Sequence, residues 1–269
     1  MILSELSGQS LGHRTVSYDD RTTILYALCA GATADELDLV WETRLRPLPS
    51  LATSLGLWAV EAAGNLGAYD RTRSLHVGQR LAMLSPLPPT ADIAMTAQID
   101  AVWDKGRAAI VELGVRSSYF ELGYTIFLPG MGGFGGESGP QVSDVAPFEP
   151  TGSVLVRTTE NLALLYRLTG DRHPVHVDPV TAASNGFERP ILHGLCTLAV
   201  GVYAVAGAIG AHPADLTSLA ARFAAPVFPG QVLEVRTSNS EGQAVRFDVT
   251  SGGVAVLKDG TASFTGTSD

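Results

Sequence analysis

Residues 86–99, PLPPTADIAMTAQI, and residues 226–239, PVFPGQVLEVRTSN, follow the same plan at two distant places in the chain. Each stretch opens with Pro-x-x-Pro and then alternates polar with apolar residues, which is the pattern of a strand that follows a turn. Their first prolines are 140 positions apart. This correspondence predicts a chain made of two similar structural units.

The sequence around the two stretches strengthens that prediction, because each is followed by a pair of strand-like segments and preceded by an apolar helix candidate. The strand pairs are residues 108–118 with 119–127 and residues 244–251 with 253–264, and the helix candidates are residues 51–63 and 192–209. A helix followed by several antiparallel strands, present twice, predicts an α+β protein.

A boundary between the units is expected in residues 130–150, GMGGFGGESGPQVSDVAPFEP. Glycine, proline, serine and acidic residues dominate this stretch, which is the composition of a linker or long loop. We therefore predict a first unit at residues 1–135, a linker at residues 136–150 and a second unit at residues 151–269.

Composition favours a globular protein whose partner is not a nucleic acid. The chain has 269 residues, 45% of them hydrophobic and 17% charged, and its formal net charge is −9. A surface this acidic is poorly suited to a phosphate backbone. It still admits a small polyanionic ligand wherever basic residues gather. The basic side chains available for such a ligand are Arg80, Lys105, Arg157, Arg189 and Arg222.

The two cysteines and the one long apolar segment favour an intracellular protein without a membrane span. Cys29 and Cys196 stand among apolar neighbours, so they are expected to be buried hydrophobes, and no Cys/His spacing suggests zinc. Residues 191–211 lack Asp, Glu, Lys and Arg, but their Gly- and Ala-rich composition favours a buried helix. The N-terminal residues lack a signal-peptide pattern, so a cytoplasmic location is expected.

Side chains that can perform chemistry concentrate in residues 166–179, YRLTGDRHPVHVDP. Gly170 allows a sharp turn beside Asp171, and prolines stiffen the chain on either side of His176. A stiff turn that carries Asp171 and His176 can direct both side chains at one point. General acid–base work on a single water molecule requires this arrangement.

Other interpretations of the same residues stay open at this stage. Asp171 beside a glycine suits a helix N-cap or turn, and a histidine is often a structural residue. Asp171, His173, His176 and Asp178 are also a conceivable set of metal ligands, although their spacing matches no strong metal motif. Residue types alone therefore support the catalytic and the structural interpretations about equally.

The string YRLTGDRHPVHVDPVTAA, residues 166–183, resembles the hydratase 2 signature of MaoC-like, R-specific enoyl-CoA hydratases. The positions that match the signature are Tyr166, Leu168, Thr169, Gly170, Asp171, Pro174, Val175, His176 and Ala182.

The resemblance extends over nearly the whole chain. Residues 189–194, RPILHG, resemble the segment that leads into the family's central helix, and residues 75–79, LHVGQ, 104–106, DKG, and 132–136, GGFGG, resemble the non-catalytic first half of its two-hotdog members. It implies a double hotdog fold, in which each unit wraps an antiparallel sheet around a helix. It also implies that the first unit binds the acyl tail.

The resemblance further implies reversible hydration of a trans-2-enoyl-CoA to the (3R)-3-hydroxyacyl-CoA without a cofactor or metal. Asp171 and His176 would hold the attacking water and transfer its proton, since histidine has an unperturbed pKa near working pH. The backbone N–H of Gly194 would stabilise charge on the thioester oxygen. Supporting or substrate-binding roles are expected for Tyr166, Gly170 and His193.

This chain departs from the family signature at His173, which occupies the position of a family asparagine. Asparagine donates and accepts without charge, whereas histidine must choose a tautomer or become a cation. His173 either supports the site in place of asparagine, changes substrate choice or weakens activity.

Three rival functions follow from these observations. One is a dehydratase acting on acyl-carrier-protein thioesters, the second is a non-catalytic acyl-CoA-binding protein disabled by His173, and the third is a thioesterase, for which no separate motif is present. An acyl-CoA thioester is the expected partner, and a homodimer is compatible with the two-unit plan.

Overall fold

The computed structural model describes residues 2–140, 148–238 and 244–266. Its ten strands form one antiparallel sheet in the order β1-β3-β4-β5-β2-β7-β10-β9-β8-β6. The strands are β1 (Ser10–Tyr18), β2 (Leu75–Met83), β3 (Ala91–Asp104), β4 (Ala108–Arg116), β5 (Phe120–Pro129), β6 (Gly152–Arg157), β7 (Leu216–Phe223), β8 (Val232–Ser238), β9 (Ala244–Ser251) and β10 (Val254–Phe264). The fold is therefore α+β, as predicted from the sequence.

The strand order confirms the repeat. Strands β1 to β5 are arranged 1-3-4-5-2, and strands β6 to β10 have the same arrangement when each is matched to its equivalent. The two halves join edge to edge through the equivalent strands β2 and β7, with Gly78 paired to Arg222 and Leu81 paired to Leu219. Two like units thus join side by side in one continuous sheet, in the pseudo-symmetric arrangement that the subunits of a dimer would adopt.

The described residues also form seven α-helices. They are α1 (Asp20–Ala30), α2 (Leu37–Val40), α3 (Ala52–Leu55), α4 (Trp58–Asn65), α5 (Leu162–Tyr166), α6 (Pro179–Ser184) and α7 (Gly194–Ala208). Helix α7 packs against β6, β8, β9 and β10, whereas α3 and α4 pack against strands of the first half. Each half therefore wraps around its own helical segment.

Helix α7 is the predicted buried helix, and its burial explains its charge-free sequence. Eleven of its fifteen residues are buried, among them Leu195, Leu198 and Val202. Each such aliphatic side chain contributes about 1.5–3 kcal/mol when removed from water. Among the described residues, no helix is long and apolar enough to span a membrane.

The helix predicted at residues 51–63 is interrupted, and a contact from another element explains the break. The Tyr124 hydroxyl donates to the backbone oxygen of Thr53 at 2.7 Å, and the Leu57 N–H bonds to Ser54 O instead. At Gly56, a Cβ would lie 2.4 Å from the Leu122 Cδ1 atom, so a larger residue would require this β5 side chain to move. The first unit thus has two short helices, α3 and α4, where the second has one long helix.

Both cysteines are buried and free, as expected. Burial raises the pKa of the Cys29 thiol to about 12 and that of Cys196 well above its usual value. These thiols are therefore poor nucleophiles in the folded protein.

The division of the chain into 1–135, 136–150 and 151–269 stays a prediction. Strand β5 ends at Pro129 and β6 begins at Gly152, on either side of the proposed linker. Residues 141–147 of that linker lie outside the described residues.

Candidate active site

The candidate site is built on the irregular segment between α5 and α7. Helix α5 ends at Tyr166 and continues as a 3-10 turn through Thr169. Gly170 then ends this turn with φ +146°, a conformation that L side chains rarely adopt. A second 3-10 turn, Pro174–His176, carries the histidine of the predicted pair.

Asp171 and His176 face each other, as the sequence predicts for a catalytic pair. His176 Nε2 lies 3.9 Å from Asp171 Oδ2. This is too long for a direct hydrogen bond, but one small molecule, such as water, can bond to both atoms from a shared position. The two side chains are only 10% and 18% exposed, so a molecule held there is largely screened from bulk water.

Hydrogen bonds fix the orientation of both side chains. His176 Nδ1–H donates to the backbone oxygen of Ile191 at 2.9 Å, since a carbonyl can only accept. The neutral imidazole therefore presents the lone pair of Nε2 towards Asp171. Asp171 Oδ1 accepts from the His173 N–H at 3.1 Å, which leaves Oδ2 directed at His176.

Burial holds His176 in the neutral form. Desolvation lowers the pKa of His176 below its ordinary value, while the negative charge of Asp171 and the hydrogen bond to Ile191 oppose that shift. His176 is therefore a proton acceptor at neutral pH, as a general base must be.

His193 supports this pair. Its ring stacks on His176 with centroids 3.6 Å apart and planes 23° apart. Its Nε2–H donates to the backbone oxygen of Asp171 at 3.1 Å. Desolvation and the neighbouring His176 lower the pKa of His193. His193 is thus a buried ring that holds the Asp171 backbone, and its supporting role in a reaction stays a prediction.

The same geometry does not suit one metal ion bound by both histidines. Ligand atoms of Asp171, His176 and His193 lie within 4.8 Å of one another. An ion midway between the stacked rings would lie half of their 3.6 Å separation above each ring plane. That height is nearly as long as a Zn–N bond of about 2.0 Å, so the ion would lie far out of the plane in which a ring nitrogen binds metal. Asp178, from the wider candidate ligand set, caps α6 instead by accepting from the N–H groups of Val180 and Thr181.

Gly194 begins helix α7 and is itself exposed. Because Gly194 is the first residue of the helix, its N–H has no helical carbonyl to which it can donate. The helix dipole also favours negative charge at this end. A Cβ on Gly194 would lie 3.1 Å from two ring atoms of Phe223. The gap between Gly194 and the Phe223 ring is named the thioester slot here, and the role of the Gly194 N–H as an oxyanion donor stays a prediction.

Two further predicted residues have clear structural roles. The Tyr166 hydroxyl hydrogen-bonds to Ser54 Oγ at 2.9 Å, and its buried ring lies 4.9 Å from that of His193. His173 Nδ1 accepts from the Val175 N–H at 3.3 Å and so caps the 3-10 turn. An asparagine oxygen can make the same bond, so this histidine preserves the capping contact.

Sequence reasoning missed two residues beside the site. His76 comes from β2 of the first unit, and its ring lies 4.8 Å from that of Phe223 on β7. Only the pairing of β2 with β7 brings them together, and no spacing in the sequence signals it. Arg167 was also missed: its charge lowers the pKa values of His176 and His193, and its Nε is buried without a partner among the described residues.

The basic residues proposed for a polyanionic ligand are dispersed, and most of them contact other groups. Arg80 pairs with Glu112, Arg189 with Glu188 and Arg222 with Asp259, Lys105 donates to the Ser138 oxygen, and Arg157 is exposed at the end of β6. Their role towards a ligand stays a prediction.

Comparison with known proteins matches both halves of the chain to family models. Residues 147–260 match a model described as MaoC like domain, and residues 16–133 match a model described as MFE-2 hydratase 2 N-terminal domain. The 3-hydroxyacyl-thioester dehydratase Y of Mycobacterium tuberculosis is 36% identical over 246 residues, which cover 85% of this chain and 84% of that protein.

A second relative and a solved structure agree with these matches. The peroxisomal enoyl-CoA hydratase 2 of Arabidopsis thaliana is 33% identical over 261 residues, which cover 85% of this chain and 84% of that protein. The crystal structure of a MaoC-like dehydratase from Phytophthora capsici superposes with a TM-score of 0.87 at 23% identity and covers 98% of each chain. The last comparison supports the double hotdog fold alone.

Proposed function

The chain belongs to the MaoC-like hydratase 2 family, and we propose that it catalyses the reversible hydration of trans-2-enoyl-CoA to (3R)-3-hydroxyacyl-CoA. The observation that carries this proposal is the Asp171–His176 pair, held 3.9 Å apart beside the exposed N-terminus of α7. The enoyl-CoA hydratase activity named for the Arabidopsis relative supports it.

In the proposed reaction, the water oxygen forms a bond to C3 while His176 Nε2 accepts one of the water's protons. Asp171 accepts a hydrogen bond from the other proton and stabilises the imidazolium as it forms. The thioester oxygen gains negative charge, which the Gly194 N–H and the α7 dipole stabilise. The imidazolium then donates its proton to C2, which restores neutral His176. Water is consumed, and the net charge of the site is unchanged.

His193 and Tyr166 are positioning residues in this scheme. His193 holds the Asp171 backbone through its Nε2–H, and Tyr166 packs against His193 while bonding to Ser54 of the first unit. The capping bond of His173 supports an active site over a disabled one, because it keeps the contact that an asparagine would make.

The same residues would run the reverse reaction on a thioester carried by an acyl-carrier protein, and the Mycobacterium relative is named only as a thioester dehydratase. Comparing crotonyl-CoA with the crotonyl thioester of a carrier protein distinguishes these partners. The cytoplasmic location and the homodimer stay predictions.

The test follows the loss of conjugated-enoyl absorbance from crotonyl-CoA and longer enoyl-CoAs, with the product passed to an R-specific dehydrogenase. We expect turnover that yields the R product and falls by about 10²–10⁴-fold in Asp171→Asn. The matched control is Asp92→Asn, an exposed aspartate on β3. Turnover that yields the S product, or none in the wild-type protein at any chain length, would refute the proposal.

A further inference from the structure

His76 is a first-unit residue whose ring contacts Phe223, the side chain that lies beside Gly194. It lies at the bulge of β2 between His76 and Gly78, where β2 pairs with β7 of the second unit. Its Nε2–H donates to the backbone oxygen of Gly78 at 3.0 Å, which fixes the orientation of the ring. The sequence predicts only binding of the acyl tail for the first unit.

The His76 ring is held between two aromatic side chains. It meets Phe223 edge to face at 4.8 Å with an interplanar angle of 64°, and it lies 5.5 Å from Tyr124. Aromatic pairs at such distances favour this edge-to-face arrangement. Tyr124 is itself fixed by its hydrogen bond to Thr53, so His76 is supported from behind.

Phe223 transmits this support to the start of α7. Two of its ring atoms stand 3.1 Å from the point where a Cβ of Gly194 would lie, which is closer than ordinary van der Waals contact. Phe223 is only partly buried, so we expect its ring to rotate more freely when His76 is absent. A rotation would change the width of the slot beside the Gly194 N–H.

We infer that His76 is a positioning residue that sets the thioester slot at Gly194 by holding Phe223 against the start of α7. The inference rests on the proposed function, since it assigns a role in that reaction. His76 acts through its ring, and it is uncharged while doing so, because burial lowers its pKa to about 4 despite the nearby charge of Asp171.

The alternative is that His76 only stabilises the seam between the two units. Both roles predict a lower Tm on truncation, so stability cannot separate them. They differ in kinetics, because a misplaced thioester oxygen weakens an interaction made in the transition state and lowers kcat more than it raises KM. They also differ in coupling, because a residue that acts through Phe223 has no effect once Phe223 is gone.

The test is a double-mutant cycle in kcat for His76→Ala and Phe223→Ala on crotonyl-CoA. A displacement of 1 Å can cost about 10²-fold, so we expect a smaller shift to lower kcat by about tenfold in each single variant, with KM changed by less than about threefold. The double variant should be no slower than the slower single variant. His76→Phe keeps the ring and should restore most of the lost turnover.

Further arms keep the test decisive. If His76→Ala does not fold, His76→Leu replaces it in the cycle, since leucine fills the space without an aromatic edge. The inference would be overturned if the kcat losses of the two single variants multiplied in the double variant, or if only KM changed. It would also be overturned if His76→Phe did not restore turnover. A shift of the acid limb of the kcat–pH profile in His76→Phe would also overturn the inference, because it would mean that His76 itself titrates.

The proposed function can be judged separately in the same experiment. Wild-type turnover that disappears in Asp171→Asn but is normal in all His76 and Phe223 variants removes only the inference. No turnover in the wild-type protein removes both.

Discussion

Replacing Asp171 with asparagine should lower the pKa of His176, because the variant keeps the shape of the side chain and removes its charge. His176 Nε2 lies 3.9 Å from Asp171 Oδ2. Two unit charges at this separation interact by about 4 kcal/mol at an effective dielectric constant of about 20, and one pKa unit corresponds to about 1.4 kcal/mol. The Asp171 side chain is 18% exposed, so water screens part of this attraction. We therefore expect the pKa of His176 to fall, by less than the unscreened attraction would give.

The sign follows from the opposing causes of the existing shift. Burial lowers the pKa of His176 and the charge of Asp171 raises it, so removing the charge leaves burial with less opposition. NMR titration of the histidine ring protons measures the change, with His176→Gln to assign the signal among six histidines. Asp92→Asn should leave the signal unmoved. An unchanged or raised pKa in Asp171→Asn would refute the geometry assigned to the pair.

Three further predictions concern neighbouring residues. His173→Asn should retain turnover, because asparagine can cap the Val175 N–H, and it should raise the pKa of His176, because His173 lowers that pKa. An acid limb of the kcat–pH profile that does not move to higher pH would contradict this prediction. The control is His13→Asn, on the exposed edge strand β1. His76→Phe should reduce the loss of stability between pH 6.5 and 4. Folding lowers the pKa of His76 to about 4, so the unfolded chain binds the proton more tightly, which costs the folded protein about 3 kcal/mol below both the folded and the unfolded pKa. Urea unfolding across this pH range measures the effect, and an unchanged pH dependence would count against it. Gly194→Ala should lower kcat by about tenfold or more with little change in Tm, because the new Cβ would lie 3.1 Å from the Phe223 ring. An unaltered kcat would mean that the thioester does not bind between Gly194 and Phe223.

Local sequence was enough to predict the parts of the fold that depend on periodicity. Strand β9 begins and ends where the alternation does, and the charge-free segment became helix α7. The edge strand β6 was not predicted, because five of its six residues are exposed and its sequence shows no sustained alternation of polar and apolar residues. The break between α3 and α4 was also beyond local reasoning, since the Tyr124 hydroxyl that causes it comes from β5.

The candidate site divides in the same way. Asp171, His176 and Gly170 share one short segment, so their spacing could be judged from the sequence. The stacking of His193 on His176 depends on how α7 docks, and the approach of His76 to Phe223 depends on the β2–β7 seam. Both are tertiary contacts between residues far apart in the chain, which spacing alone does not predict.

The central claim is that Asp171 and His176 act together on one water molecule. Its most direct test measures kcat/KM for crotonyl-CoA hydration in Asp171→Asn, His176→Gln and the double variant, with Tm and circular dichroism to confirm folding. We expect each single variant to lose about 10²–10⁴-fold and the double variant to lose little more than the slower single one, since residues that act as a unit are not additive. Near-wild-type turnover in either single variant, or losses that multiply in the double variant, would contradict the account.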